Sequence, residues 1–354
     1  MKLLKYPSIE QYRSIIKHVR DHANYHNTPY PVIKFNGYVK LHGTNAGIVQ
    51  DVNNVRWAQS HQRVLSLESD NMGFAQYVHA HTSIFDMMFS IIKFMKHDLD
   101  VLKKPNAAIA IYGEWCGEGI QKGVSISVVD KMFVVFDVRI SSELTDGTTE
   151  DYWFTKDELD NLFIGMNDDV PFRVPNKDKV FYVGQFPNYT IEIDFNKPEL
   201  SQNELVDLTI KVEDDCPVGK YFGVSGIGEG IVWSADLLSK PGTKIRFKVK
   251  GEKHSVSKVK TLAEVDPVKV ATIQEFVDRV VTTNRLGQMK QRLFEMELDG
   301  NDIKNVGQFL KFLSLDIIKE ESDTLEASGI SNKEIMSSVN RAGRNWFLEN
   351  LGDE

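Results

Sequence analysis

The chain has 354 residues, enough for one large domain and a smaller one, and its 42% hydrophobic and 26% charged content is that of a globular protein. No uninterrupted apolar run reaches membrane-spanning length, and residues 1–7 hold no extended apolar stretch ahead of a cleavage site, so neither a membrane partner nor a secretory signal is expected. A net charge of −8 excludes indiscriminate coating of nucleic acid, and two cysteines, Cys116 and Cys216, outside any metal-ligand spacing, point to a reducing cytoplasm rather than a disulfide framework.

In chain order, β-branched and aromatic runs predict strands at residues 32–35, 47–49, 108–112, 132–140, 181–186 and 244–250. Between them, the aromatic and Met-rich spacing of residues 74–96 predicts a core-facing helix, and the polar segment 141–150 with Asp146-Gly147 predicts a turn. After about residue 262 the texture becomes helical. Thr272 to Glu275 has capping-box spacing ahead of Ile273, Phe276, Val277 and Val280. A second apolar stripe uses Val306, Phe309, Leu310, Leu313 and Ile317, and a third follows Ser331 and Glu334 through Ile335, Val339, Ala342 and Trp346. The expected division is an α+β domain over residues 1–262 with mixed antiparallel sheets and a small all-helical C-terminal domain over 263–354, joined through 251–267.

Five short segments suggest chemistry. In Lys40-Leu41-His42-Gly43-Thr44-Asn45 a lysine closes an apolar run ahead of a Gly-Thr-Asn turn. A partly buried lysine beside other cations loses its proton more readily and becomes a covalent nucleophile, while Gly43 would let the chain bend beside a phosphate and Thr44 and Asn45 could donate to it. Ile111-Tyr112-Gly113-Glu114 delivers a carboxylate at a strand end, suited to a ribose hydroxyl or a metal. Phe136, in Phe133-Val134-Val135-Phe136-Asp137, offers an aromatic face to a base. Gly226 to Trp233 has the wrong spacing for a dinucleotide loop and instead brings Glu229 toward a bound cation. Lys244-Ile245-Arg246-Phe247-Lys248-Val249-Lys250 alternates strictly, so one strand face carries four cations that must meet solvent or an anion. Singly, four of them have an ordinary structural reading: a hairpin lysine, a solvated strand-end glutamate, a core phenylalanine, a charged edge strand.

Taken in order, Lys-x-His-Gly-Thr-Asn, Gly-Glu, Phe-Asp, Glu-Gly-x-Val and Lys-x-Lys resemble nucleotidyltransferase motifs I, III, IIIa, IV and V of covalent ligases. With His42, Asn45 and a helical tail the chain looks most like the RNA ligase 2 family, which includes phage RNA ligases and RNA-editing ligases. The resemblance implies the adenylation fold of that group, related to ATP-grasp folds, and an ATP-dependent joining of RNA 5′-phosphate and 3′-hydroxyl ends with magnesium or manganese. It implies a cytoplasmic enzyme, in the host cytoplasm for a phage-borne relative, with no obligatory protein partner.

By the same resemblance Lys40 is the nucleophile that carries AMP, flanked in the nucleotide site by Val39 and Leu41. Glu114 lies by the ribose, Phe136 on adenine, Glu229 and Glu114 at the metal, and Lys248 and Lys250 on the phosphates, where their field would depress the pKa of Lys40. His42 and Asn45 would serve nucleotide transfer and the polynucleotide steps. The motif Ia arginine falls to Arg63, with His61 and Arg56 as alternatives. Two departures stand out: Val39 precedes the nucleophile where relatives can carry Glu, and motif IV ends in Trp233 rather than a cation. DNA ligases and capping guanylyltransferases share the five motifs but usually continue into a β-rich domain, and a noncatalytic RNA-binding module would have lost one of the charged motif residues.

Overall fold

The computed structural model describes residues 1–144, 146–164, 178–237, 242–251, 273–328 and 331–352. Its first half runs β1 (Glu10–Gln11), α1 (Tyr12–Tyr25), β2 (Val32–Lys40), β3 (Thr44–Asp51), β4 (Arg56–Ser60), α2 (Phe74–Ala80), α3 (Thr82–Met95), β5 (Ala107–Cys116), β6 (Met132–Glu143) and β7 (Thr149–Trp153). There follow α4 (Lys156–Phe163), β8 (Val180–Tyr182), β9 (Asn188–Asp194), α5 (Gln202–Asp214), α6 (Pro217–Tyr221), β10 (Gly230–Asp236) and β11 (Lys244–Lys250). The C-terminal run is α7 (Ile273–Val280), α8 (Thr283–Glu295), α9 (Val306–Glu320), α10 (Ser322–Ser328) and α11 (Asn332–Glu349). The expected connector 251–267, Gly251 excepted, and Thr272 of the expected box lie outside the described residues.

Two compact units emerge. The first comprises Met1–Ser8, Ile33–Glu192 and Leu208–Arg246, and the second Ile9–Val32, Ile193–Asp207 and Phe247–Glu354.

In the first unit a six-stranded sheet has the order β4, β3, β5, β6, β7, with β8 parallel to β6. β5 and β6 read as nearly unbroken apolar runs because both of their faces are buried. The predicted helix 74–96 is two helices. At His81 the backbone leaves the helical region, and its backbone N–H and its ring both meet the Tyr77 carbonyl. Separately, β10 pairs antiparallel with β2, Gly230 opposite Lys40 and Trp233 opposite Gly37. A Cβ on Gly37 would come within 2.7 Å of the Trp233 ring, so this glycine is the seat on which the buried indole lies.

In the second unit α1 buries Tyr12, Ile15, Ile16, Val19 and Ala23, and β1 runs parallel to the end of β11 with Gln11 opposite Lys248. The predicted stripes form one core in which Phe276, Leu293, Phe309, Leu313, Ile335 and Val339 are buried. The third stripe closes on Phe347, with Trp346 half-buried and stacked 6.0 Å from Phe309. Ser331 and Glu334 form the expected reciprocal cap of α11.

Candidate active site

Strand alternation sets Lys40. Val39 and Leu41 are only 3% and 6% exposed, their side chains committed to the core, so Lys40 projects from the opposite face of the chain. Because β10 begins at Gly230 opposite Lys40, the residue before it arrives beside the lysine: Lys40 Nζ lies 2.6 Å from Glu229 Oε2. The same carboxylate oxygen is 3.4 Å from His42 Nδ1, and the Glu229 side chain is 2% exposed. Burial pulls the Lys40 pKa down, but the charges of Glu229 and Glu114 and the Glu229 hydrogen bond outweigh it, and the net displacement is upward. The expected depression is therefore corrected: Lys40 is held as an ammonium by its carboxylate partners.

Beyond Lys40 the chain leaves β10's partner strand and joins the six-stranded sheet as β3 within three residues. This turn is clamped on both sides. Gly43 N–H donates to Glu114 Oε1 at 3.0 Å, and Gln121 Nε2 donates to the Gly43 carbonyl at 3.2 Å. Buried Asn71 donates through Nδ2 to Thr44 Oγ1 at 3.0 Å. A Cβ on Gly43 would fall 2.4 Å from the Trp115 carbonyl oxygen and 2.7 Å from Cys116 Cβ, so close packing on β5 is what demands glycine here, rather than a bend beside phosphate. Half-buried Asn45 stands opposite Glu114 in the β3–β5 register. Gln121 and Asn71 carry no motif signal; only the folded turn reveals them.

Phe136 owes its position to a β-bulge. Tyr112 pairs with Asp137 and Gly113 with Val135, which leaves Phe136 as the extra residue on β6. A bulge re-aims its side chain, and Phe136 is half-buried between fully buried neighbours, its ring 5.0 Å from that of Tyr6. Arg63 is engaged by a local loop: it donates to the Ser69 carbonyl at 2.7 Å and the Asp70 carbonyl at 2.9 Å, just ahead of Asn71. Arg56 pairs with Asp86, and His61 contacts Gln62.

The cationic face of β11 finds internal anions. Buried Asp137 accepts from Lys244 at 3.0 Å and from Arg246 at 2.6 Å, and Arg246 also lies 4.3 Å over the Trp153 ring. Burial raises the Asp137 pKa, yet Arg246 and Lys244 together hold it below the usual carboxylate range. Lys248 Nζ is 3.1 Å from Glu320 Oε1, and Lys250 is half-buried at the strand end.

The RNA ligase family model matches residues 35–250, the segment that contains every motif from Lys40 to Lys250. The chain belongs to the RNA ligase family. Solved structures of an RNA ligase from Naegleria gruberi are similar to this RNA ligase family chain at low identity. A variant with AMP and Mn is 17% identical, with TM-score 0.42, 71% of this chain and 56% of that one covered. A variant with ATP and Mn is 16% identical, with TM-score 0.41, 72% and 58% covered, and the enzyme with PPi is 17% identical, with TM-score 0.40, 71% and 59% covered. The chain thus spans less than three fifths of those solved proteins. No curated protein matches it. Among the described residues no helix is long and apolar enough to cross a membrane, and no group of three or more His, Cys, Asp or Glu side chains forms a metal cluster.

Proposed function

We propose that this family member is an ATP-dependent RNA ligase that seals 5′-phosphate to 3′-hydroxyl ends in a reducing, cytoplasmic setting. Residues 1–262 would carry nucleotide transfer and the helices after 263 would carry part of the RNA contact. The observation that supports it best is the 2.6 Å Lys40–Glu229 pair inside the segment matched by the family. Lys40 loses a proton, its amine attacks the α-phosphate of ATP, and the bond to the β-phosphate breaks with release of pyrophosphate. AMP then passes to the RNA 5′-phosphate, whose activated phosphorus is attacked by the 3′-hydroxyl as AMP departs.

Glu229 Oε2, already bonded to Lys40, is the nearest group able to take that proton. Magnesium and manganese sites commonly use one or two carboxylates and complete the shell with phosphate and water, so Glu229 with Glu114 fits such an ion without a larger cluster. The ion would supply positive charge at this acidic pair. Phe136 would stack on adenine; Lys248 and Lys250, with Arg63, would hold phosphates, and His42 and Asn45 would act in the transfer steps. Val39 and Leu41, with buried side chains, would contribute backbone only.

Incubation with α-labelled ATP and magnesium should label the protein, and Lys40→Ala should abolish the band while the variant stays folded. Label on Lys40→Ala would refute the assignment. Labelling by GTP and not ATP would instead indicate a capping-type enzyme, and sealing of nicked DNA in preference to RNA a DNA ligase.

A further inference from the structure

We infer that Glu320, at the C-terminal end of α9, is a positioning residue for Lys248, holding its ammonium ready for the nucleotide phosphates; the inference rests on the phosphate role proposed for Lys248 above. The Glu320 carboxylate is divided between two partners. Oε1 meets Lys248 Nζ at 3.1 Å, and Oε2 accepts from Gln11 Nε2 at 2.8 Å, Gln11 being the residue opposite Lys248 in the β1–β11 pair.

The helix end behind it is fixed as firmly. Arg13 donates to the Glu320 carbonyl at 2.7 Å and to Glu321 Oε2 at 3.1 Å. Arg285, fully buried, donates to Glu321 Oε1 at 3.0 Å and to the Val280 carbonyl at 2.7 Å. Glu320 and Glu321 therefore sit in a rigid frame rather than on a swinging side chain. Burial works against charge on Glu320, yet Lys248 and Gln11 hold its pKa down at about 2, so the carboxylate stays ionised.

Helix stability does not account for this placement. The C-terminal end of a helix carries partial negative charge, so carboxylates there are unfavourable, and buried ion pairs offset their own desolvation only in part. A lysine, by contrast, is a point charge on a flexible four-carbon stem and gains from an external anchor when it must meet a ligand at one place. Of its three N–H donors, one reaches Glu320 and two remain for phosphate oxygens.

The test uses the full-length protein and self-labelling by α-labelled ATP over a range of ATP concentrations. Glu320→Ala should raise the ATP concentration for half-maximal labelling about tenfold, through lost preorganisation. Glu320→Gln, which still offers Lys248 a carbonyl acceptor, should recover most of that loss. In a Lys248→Ala background the Glu320→Ala change should add nothing, as expected of two residues acting as one unit. If Glu320→Ala fails to fold, Glu320→Asp replaces it, withdrawing the carboxylate by one methylene. Wild-type ATP dependence in either variant, or a full further defect in the Lys248→Ala background, would overturn the inference while leaving the ligase reading intact. A wild-type protein that takes no label would overturn both.

Discussion

At Lys40 the proposed chemistry starts from the wrong protonation state, and the reason lies in one oxygen atom of Glu229. An ammonium held above its usual range has no lone pair, so the amine becomes reactive only when Glu229 is drawn away or takes the proton. Without nucleotide, acylation of Lys40 by an amine reagent, followed by mass spectrometry against pH, should report this directly. Glu229→Gln removes one charge that favours the ammonium and should shift the Lys40 reactivity profile to lower pH; an unmoved profile would show that Glu229 does not govern the proton. Gly43 makes a second single-residue prediction. Ala at 43 would drive a Cβ against backbone of β5 that cannot turn aside, and overpacking of this kind costs about 1–3 kcal/mol. Thermal unfolding should show the loss together with weaker self-labelling, since the same turn follows the proposed nucleophile.

Elements meet their most demanding electrostatics at the end of α9. Replacing Arg285 by Met leaves Glu321 buried with one of its arginines gone, and unpairing a buried charge costs roughly 3–5 kcal/mol, so urea unfolding should show a loss of that order. Glu320 gives the matching pH dependence. Its folded pKa lies below the ordinary glutamate value, so its pairing contributes full stability above the unfolded pKa near 4.5 and loses it as pH falls toward about 2. Glu320→Gln should flatten unfolding free energy over that acid window. At the N-terminal end of α11 the Ser331–Glu334 cap predicts a modest effect: Ser331→Ala should cost about 1 kcal/mol, seen in thermal melts.

On the scale of the whole molecule, a net charge of −8 means that the proposed RNA affinity must come from localised cations. The basic residues Lys290, Arg292, Arg341 and Arg344 of the helical part are the candidates, and the fold narrows the choice. Lys290 donates to the Asn350 carbonyl and Arg292 lies 4.6 Å over the Phe312 ring, both in structural roles, whereas Arg341 and Arg344 are exposed on α11. Reversing Arg341 and Arg344 to Glu should weaken RNA binding and shallow its salt dependence, measured by titration at several ionic strengths. Affinity that ignores salt would rule out phosphate neutralisation as the basis of binding.

What could be read from the chain alone was local or ordered along it. The strict alternation of residues 244–250, the helical stripes of α9 and α11, the Ser331 cap and the order of the five motifs all lie in short windows, where periods of 2.0 and 3.6 residues and capping chemistry act. The partners of those residues were decided by tertiary structure. Lys244 and Arg246 answer to Asp137, 107 and 109 residues away, and Lys248 answers to Glu320, 72 residues away. Trp233 stands where a cation was expected because its strand register lays the indole on Gly37. Phe136 is half-buried at a one-residue bulge, and Lys40 is biased toward its ammonium form because β10 begins where β2 ends. A sequence specifies which side chains alternate; which carboxylate each cation meets depends on register and on pairings across the fold, and these set whether a lysine is a nucleophile, a phosphate contact or a buried ion pair.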